Sequence, residues 1–394
     1  MKKLLFVISD LKIGGGERSL VNLLNLFDFG KYQVDLLLFK REGILIKQIP
    51  KEVNIIQTPR TLWYAFNRAD INSFKHFDTV FAVIVRLFGT GVTRAIFRNN
   101  INQSKQYRWH WFYKYVIKKM ESSYEAVVAY MNNESMYYIA EKITCKNKIA
   151  WIHSDYNSLK YDRWVDKQYF GNFKYIVSIS DECVNVLKEN FPEFINKFIC
   201  IPNLTASSVI KRMALEYEPL EYDKSKCIIL SVGRLAPEKG YDLGIAAAKI
   251  LLEKGYQFKW YIVGAGQLEK ELNTLVHRNK LGDVVQFLGA KINPYPYIQH
   301  CDIFLQPSRC EGKSVVIDEA KILAKPIVVT RYRTIVDQII DGEEGIIAEL
   351  TIESIADCLG MMMNNTILRA NLSGTLAQRE YGNSENIKMH YSLM

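Results

Sequence analysis

Two doubly wound α/β domains, each built on a mainly parallel sheet, are the architecture this sequence predicts, and three observations predict it. In the second half, apolar runs at 227–232, 258–263, 284–288, 302–306, 326–330 and 345–348 alternate with stretches of helical periodicity. The first half opens as strand, glycine turn, helix and strand, a unit that pairs its strands in parallel through a right-handed crossover. At 394 residues the chain has room for two ordinary domains, each with its own core.

The opening unit runs from Lys3–Ser9 through Gly14, Gly15, Gly16, Glu17 and Arg18 into a helix carrying Leu20, Val21, Leu23, Leu24 and Leu26, then to Val34–Phe39. Its glycines let backbone approach a ligand at a helix start, or serve as a packing turn. It is not the dinucleotide fingerprint, because the glycine spacing differs and no ribose-binding acid follows the second strand. Ala126–Tyr130, Ile149–Ile152 and Tyr175–Ser180 read as further strands, the second running into His153, Ser154 and Asp155. A lone histidine is most often structural, but His153 stands at a strand end, where ligand sites of such sheets gather. From Ala206 to Ser225 the pattern weakens and charge rises, which marks a linker at 206–225 between domains at 1–205 and 226–375, with a polar segment at 376–394.

The second half carries the richer site. Cys227–Val232 leads into Gly233-Arg234-Leu235-Ala236-Pro237-Glu238-Lys239-Gly240, and then a helix with Leu243, Ala246, Ala247, Ile250 and Leu251 on its apolar side. Arg234, through a planar fork, and Lys239, as a point charge, could neutralise a diphosphate beside a helix start without a metal; a solvated basic loop is the bland reading. Gly264-Ala265-Gly266 ends the next strand in another close-approach turn. The strand at 302–306 is followed by Ser308–Lys325, a turn containing Glu311 and a helix for which Ser314 is the cap. Lys313, Ser314 and Val315 at that helix start are candidate phosphate contacts. Glu319 lies too far along the helix to face an anion and suits the paired hydroxyls of a ribose; a helix with ordinary surface acids is the bland reading.

Composition bounds the alternatives. Apolar residues make up 48% and charged residues 24%, as in a folded globular chain. Seven scattered cysteines without metal spacing fit free thiols in a reducing cytoplasm. No signal peptide is expected from the short apolar run after Met1, and Arg86 and Arg94 are expected to break the best membrane-spanning candidate, Thr79–Phe97. Between Gln57 and Met120 there are eleven Lys or Arg against two acids, Asp70 and Asp78, among fourteen aromatic residues. Such a region can bind nucleic acid, bind an anionic membrane surface, or simply cover a core with helices that expose lysines. No nucleic-acid-binding motif accompanies it, so the membrane is preferred.

The second-half motifs together resemble the retaining glycosyltransferases of family 4, including those of capsular and exopolysaccharide biosynthesis, which have the GT-B fold: two Rossmann-like domains facing across a cleft. The family's glycine-arginine turn with Glu-Lys-Gly matches Gly233, Arg234, Glu238, Lys239 and Gly240, and its paired glutamates match Glu311 and Glu319. The resemblance implies that Arg234 and Lys239 hold the donor diphosphate, that Glu311 and His153 touch the donor sugar, and that Glu319 binds the ribose. Gly15 and Gly16 look like the family's amino-terminal loop, lining the diphosphate or acceptor pocket. It further implies a base contacted through backbone in the loop from Gly289 to Tyr295, and a terminal segment crossing back to the first domain. The chain departs from the family at Lys313-Ser314-Val315-Val316, where many members carry aromatic-glycine-leucine-proline.

The function so implied is transfer of a sugar from a nucleotide diphosphate sugar, UDP-linked in the family's commonest case, to a hydroxyl acceptor such as a lipid-linked glycan. The enzyme would sit in the cytoplasm on the inner membrane face, without nucleic acid. No cofactor is implied, and the absence of any Asp-x-Asp in the sequence predicts metal independence. Retention by a covalent or a front-face route stays open from the residues; the family resemblance favours the front face. Three rivals remain: a sugar phosphorylase using pyridoxal phosphate, a nucleotide-sugar epimerase, and a non-catalytic nucleotide-sugar-binding subunit.

Overall fold

The computed structural model describes every residue from 1 to 394 apart from Ile13, Ser122 and Asn133 and the side chains of Ser73 and Phe74. The chain divides into two compact units, one holding residues 1–12, 16–203 and 385–394, the other holding 204–384 together with Gly14 and Gly15.

The first unit is built on seven parallel strands: β1 (Lys2–Ile8), β2 (Tyr32–Leu38), β3 (Asn54–Ile55), β4 (Ala126–Ala129), β5 (Asn147–Ile152), β6 (Tyr175–Ser178) and β7 (Phe198–Cys200). Their order is β3-β2-β1-β4-β5-β6-β7, so the winding reverses between β1 and β4. Continuous apolar runs such as Leu4–Ile8 and Ala126–Ala129 are buried along their whole length because helices cover both faces. Residues 385–394 belong to this unit: Tyr391 stacks on Tyr32 at 4.9 Å, and Asn147 Nδ2 donates to the Leu393 carbonyl at 2.6 Å.

The second unit holds six parallel strands: β8 (Cys227–Val232), β9 (Phe258–Val263), β10 (Val285–Gly289), β11 (Ile303–Gln306), β12 (Ile327–Thr330) and β13 (Ile346–Ala348), in the order β10-β9-β8-β11-β12-β13. Its switch point lies between β8 and β11, which places the turns after both strands side by side.

Two expectations are corrected. The stretch 206–225 is not a bare linker: Ser207–Met213 is helical, and Ile210, Ala214 and Tyr222 are buried in the core of the second unit. Tyr222 stacks on Tyr261 at 4.6 Å and donates to the Tyr297 carbonyl at 3.0 Å. The charged residues between these anchors hid them. Nor do Arg86 and Arg94 interrupt their segment. Phe77–Ile96 is one helix, long and apolar enough by length and composition to cross a membrane. It packs on the first unit through Ala82, Val83 and Gly89 while exposing Phe77, Phe81, Ile84, Leu87 and Phe88.

Candidate active site

In the second unit, four side chains converge where β8 and β11 end. Glu311 Oε1 accepts from Lys239 Nζ at 2.5 Å, from Ser308 Oγ at 2.8 Å and from Gln306 Nε2 at 2.9 Å. Lys239 is carried on the 3₁₀ turn Pro237–Lys239 after β8, Gln306 is the last residue of β11, and Ser308 and Glu311 follow it. The parallel pairing of β8 with β11 is therefore what joins an ammonium and a carboxylate 72 residues apart. Both are largely buried, at 18% and 13% side-chain exposure, so water screens the pair less than a surface bridge. The Glu311 carbonyl is fixed as well, accepting from Thr334 Oγ1 at 2.8 Å.

Arg234 is placed differently. Its guanidinium is 56% exposed and pairs with Glu238 at 3.1 Å, so it belongs to the same turn but stands at its solvent edge. Arg309 anchors the two turns together through a two-pronged bridge to Asp242 at 2.7 and 2.6 Å, while its backbone N–H donates to the Glu238 carbonyl at 2.7 Å.

Gly233, Gly264 and Gly266 lie at the ends of β8 and β9. A Cβ on Gly264 would stand 1.8 Å from the Gly233 carbonyl oxygen, and one on Gly266 would stand 2.3 Å from that of Leu235. Their missing side chains therefore let one turn pass against its neighbour.

The helix after Glu311 begins at Val315 and ends at Ile322, with Ser314 at its cap position. The expected capping bond is absent because Ser314 Oγ donates instead to Gln306 Oε1 at 2.8 Å, and the Ser314 N–H donates to Gln338 Oε1 at 3.0 Å. Val315 and Val316 open the first turn of this helix, at its positive dipole end. Lys313 is partly buried in the preceding turn. Glu319 is fully buried, and its Oε1 accepts from the Tyr295 hydroxyl at 3.1 Å. A carboxylate this enclosed is held by the protein itself.

Within the first unit, His153 and Gly16 are neighbours, since a Cβ on Gly16 would lie 3.5 Å from His153 Cδ2. Gly15 opens the Gly15–Asn25 helix. His153 packs on Tyr130 at 4.9 Å, Tyr130 stacks on Trp151 at 5.4 Å, and Trp151 stacks on His390 at 5.4 Å with planes 5° apart. Burial drives the pKa of His153 down to about 4, with Asn203 and the Tyr130 backbone opposing part of the shift. The same cause brings His390 to about 4. Both rings are neutral near pH 7, so neither is a cation there.

Sequence reasoning missed Gln306, Ser308, Tyr295, Thr334 and Gln338 as parts of the site. A polar residue closing an apolar strand was a signal for Gln306. Nothing in the sequence pointed to Gln338, which reaches the turn from 24 residues away.

Residues 216–378 match the family model described as "Glycosyl transferases group 1". The chain is 34% identical over 128 residues to the amylovoran biosynthesis glycosyltransferase AmsK of Erwinia amylovora, covering 30% of this chain and 31% of AmsK. It is 29% identical over 178 residues to an N,N'-diacetylbacillosaminyl-diphospho-undecaprenol alpha-1,3-N-acetylgalactosaminyltransferase of Campylobacter jejuni, covering 45% and 46%. The matched segments thus span less than half of these relatives. The crystal structure of Anabaena HepE in complex with UDP and glucose aligns over 100% of this chain and 98% of HepE, with a TM-score of 0.70 at 15% identity, a likeness of fold. The two parallel-sheet units are those of the GT-B architecture. Residues 216–378, which carry the whole cluster from Gly233 to Glu319, are thus the part of the chain that is similar to the glycosyl transferases group 1.

Proposed function

We propose that the chain is a retaining, metal-independent glycosyltransferase that moves a sugar from a nucleotide diphosphate sugar, UDP-linked, to a hydroxyl of a lipid-linked glycan in surface polysaccharide assembly. The observation that carries this reading is the Lys239–Glu311 pair, braced by Gln306 and Ser308, beside the helix start at Val315. A pyrophosphate leaving group gathers negative charge as the glycosidic bond breaks. Lys239, Arg234 and the first-turn amides supply fixed positive ends to that charge, and they do so without reorganising in the transition state. Glu311, held by three donors, is the acceptor for donor-sugar hydroxyls. On the front-face route the departing phosphate takes the acceptor proton, so no carboxylate needs to stand behind the anomeric carbon.

The polysaccharide setting is supported by AmsK, and the lipid-linked acceptor by the undecaprenol-linked substrate in the name of the Campylobacter relative. Attachment to the inner face of an anionic membrane is supported by the outward face of the Phe77–Ile96 helix. Phe77, Phe81, Ile84 and Phe88 recur at helical spacing along it, and Arg86, Arg94, Arg98 and the lysines at 114, 118 and 119 lie on or near it in sequence. Apolar rings that insert and cations that meet headgroups are what an interfacial helix requires.

The test of the reaction is a thermal-shift panel of nucleotide sugars on the purified chain, followed by mass spectrometry of products formed with lipid extracts. Stabilisation by one donor and a product heavier by one sugar, unaffected by chelator, is the expected result. Donor consumed without acceptor, or activity abolished by chelator, overturns it. For the membrane, sedimentation with vesicles should show stronger pelleting with anionic than with neutral lipid, and equal pelleting removes the surface role.

A further inference from the structure

Gln338 makes three contacts through one side-chain amide. Its Oε1 accepts from the Ser314 N–H at 3.0 Å, while its Nε2 donates to the Ser314 carbonyl at 2.6 Å and to Asp318 Oδ1 at 2.8 Å. A carboxamide that reads both the N–H and the C=O of one residue acts as a neighbouring peptide would in a ladder, fixing that residue's orientation. Gln338 is itself held, because its carbonyl accepts from Lys321 Nζ at 2.7 Å and Lys321 pairs with Glu344 at 3.1 Å. Gln338, Ser314, Lys321 and Glu344 are all buried.

Ser314 is the residue from which the Val315–Ile322 helix departs. Its own N–H and hydroxyl are spent on Gln338 and Gln306, so an anion at this helix start meets the amides of Val315 and Val316 instead. The direction of those two amides is set by the Ser314 peptide, and the Ser314 peptide is set by Gln338.

We infer that Gln338 is a positioning residue for the donor's terminal phosphate: it never touches the ligand, and it aims the first-turn amides of the 315–322 helix by clamping Ser314. This rests on the donor reading given above. A competing role has the opposite sign. If Gln338 Oε1 only stands in for a phosphate oxygen on the Ser314 N–H, the ligand displaces it, and losing the side chain tightens binding. Burial of the whole clamp and its two further bonds favour the fixed arrangement.

The experiment compares full-length wild type with Gln338→Leu and Gln338→Glu by calorimetry. It uses whichever of UDP, GDP, ADP and CDP the wild type binds best, alongside the matching monophosphate. A purely structural lesion weakens both ligands alike, so the readout is the ratio of diphosphate to monophosphate affinity. That ratio should fall about 10–100-fold in Gln338→Leu, the scale on which small misplacements of aligned groups are felt. Gln338→Glu keeps the acceptor and loses both donors, and should fall between; it serves as the test should the leucine variant not fold. An unchanged ratio, or tighter diphosphate binding, overturns the assignment while leaving the donor reading intact. Wild type that binds none of the four diphosphates overturns both.

Discussion

Replacing Lys239 by methionine removes one charge while keeping the aliphatic stem, and the structure sets what should follow. The ammonium lies 2.5 Å from Glu311 Oε1, which at an effective dielectric of about 20 corresponds to an attraction of ~6–7 kcal/mol before desolvation is subtracted. Most of that is offset on burial, and Glu311 retains donors in Gln306 and Ser308, so the net loss of stability should be about 1–3 kcal/mol. The catalytic loss should be separate. One fixed donor to a developing oxyanion is worth about 2.7–4 kcal/mol, or roughly 100- to 1,000-fold in kcat. The assay is turnover of donor to glycosylated product at saturating substrate, with melting temperature measured on the same preparations. Turnover within threefold of wild type would refute the electrostatic argument. The double variant with Glu311→Gln separates two routes: if Lys239 acts only by orienting Glu311, methionine in the glutamine background should have no further effect; if it acts on the phosphate, the losses should persist.

Three other expectations are checkable. Glu319→Gln should weaken donor binding measured by calorimetry, whereas unchanged affinity with a lowered melting temperature would make Glu319 a structural partner of Tyr295. Gly264→Ala should unfold or strongly destabilise the second unit, because its Cβ would meet the Gly233 carbonyl at 1.8 Å; a circular-dichroism melt within a few degrees of wild type would contradict that contact. Acid should destabilise the first unit through its buried histidines. With folded pKa values near 4 against 6.5 in the unfolded chain, the unfolded state binds the extra protons between those limits. Stability should therefore fall with falling pH at about 1.4 kcal/mol per pH unit for each ring. Asp166, raised to about 6 by burial, contributes in the opposite direction between about 3.8 and 6. Comparison with His390→Phe cancels that contribution and keeps a ring on Trp151. The variant should lose part of the acid slope in denaturant titrations from pH 4 to 6.5, and identical slopes would contradict a neutral buried His390.

Much was legible along the chain because each signal was local. The strands announce themselves as apolar runs, the glycine turns by composition, and Arg234, Lys239, Glu311 and Glu319 by their distances from strand ends. Ala206–Ser225 misled for a local reason too, since its burial depends on Ile210, Ala214 and Tyr222 finding partners elsewhere in the second unit. The arginines in Phe77–Ile96 misled because a charge on one face of a helix leaves its other faces apolar.

By itself the sequence determined the alternation that builds two parallel sheets and which turns carry charge. Periodicity and turn chemistry are properties of neighbours along the chain. Only the tertiary structure decided that Lys239 lies on Glu311, that Gly264 yields to the Gly233 backbone, that Ser314 is clamped by Gln338, and that Arg234 stands at the solvent edge. Those outcomes follow from the strand order β10-β9-β8-β11-β12-β13. Strand order brings remote turns side by side, and hydrogen bonding and exclusion of water then select among their side chains.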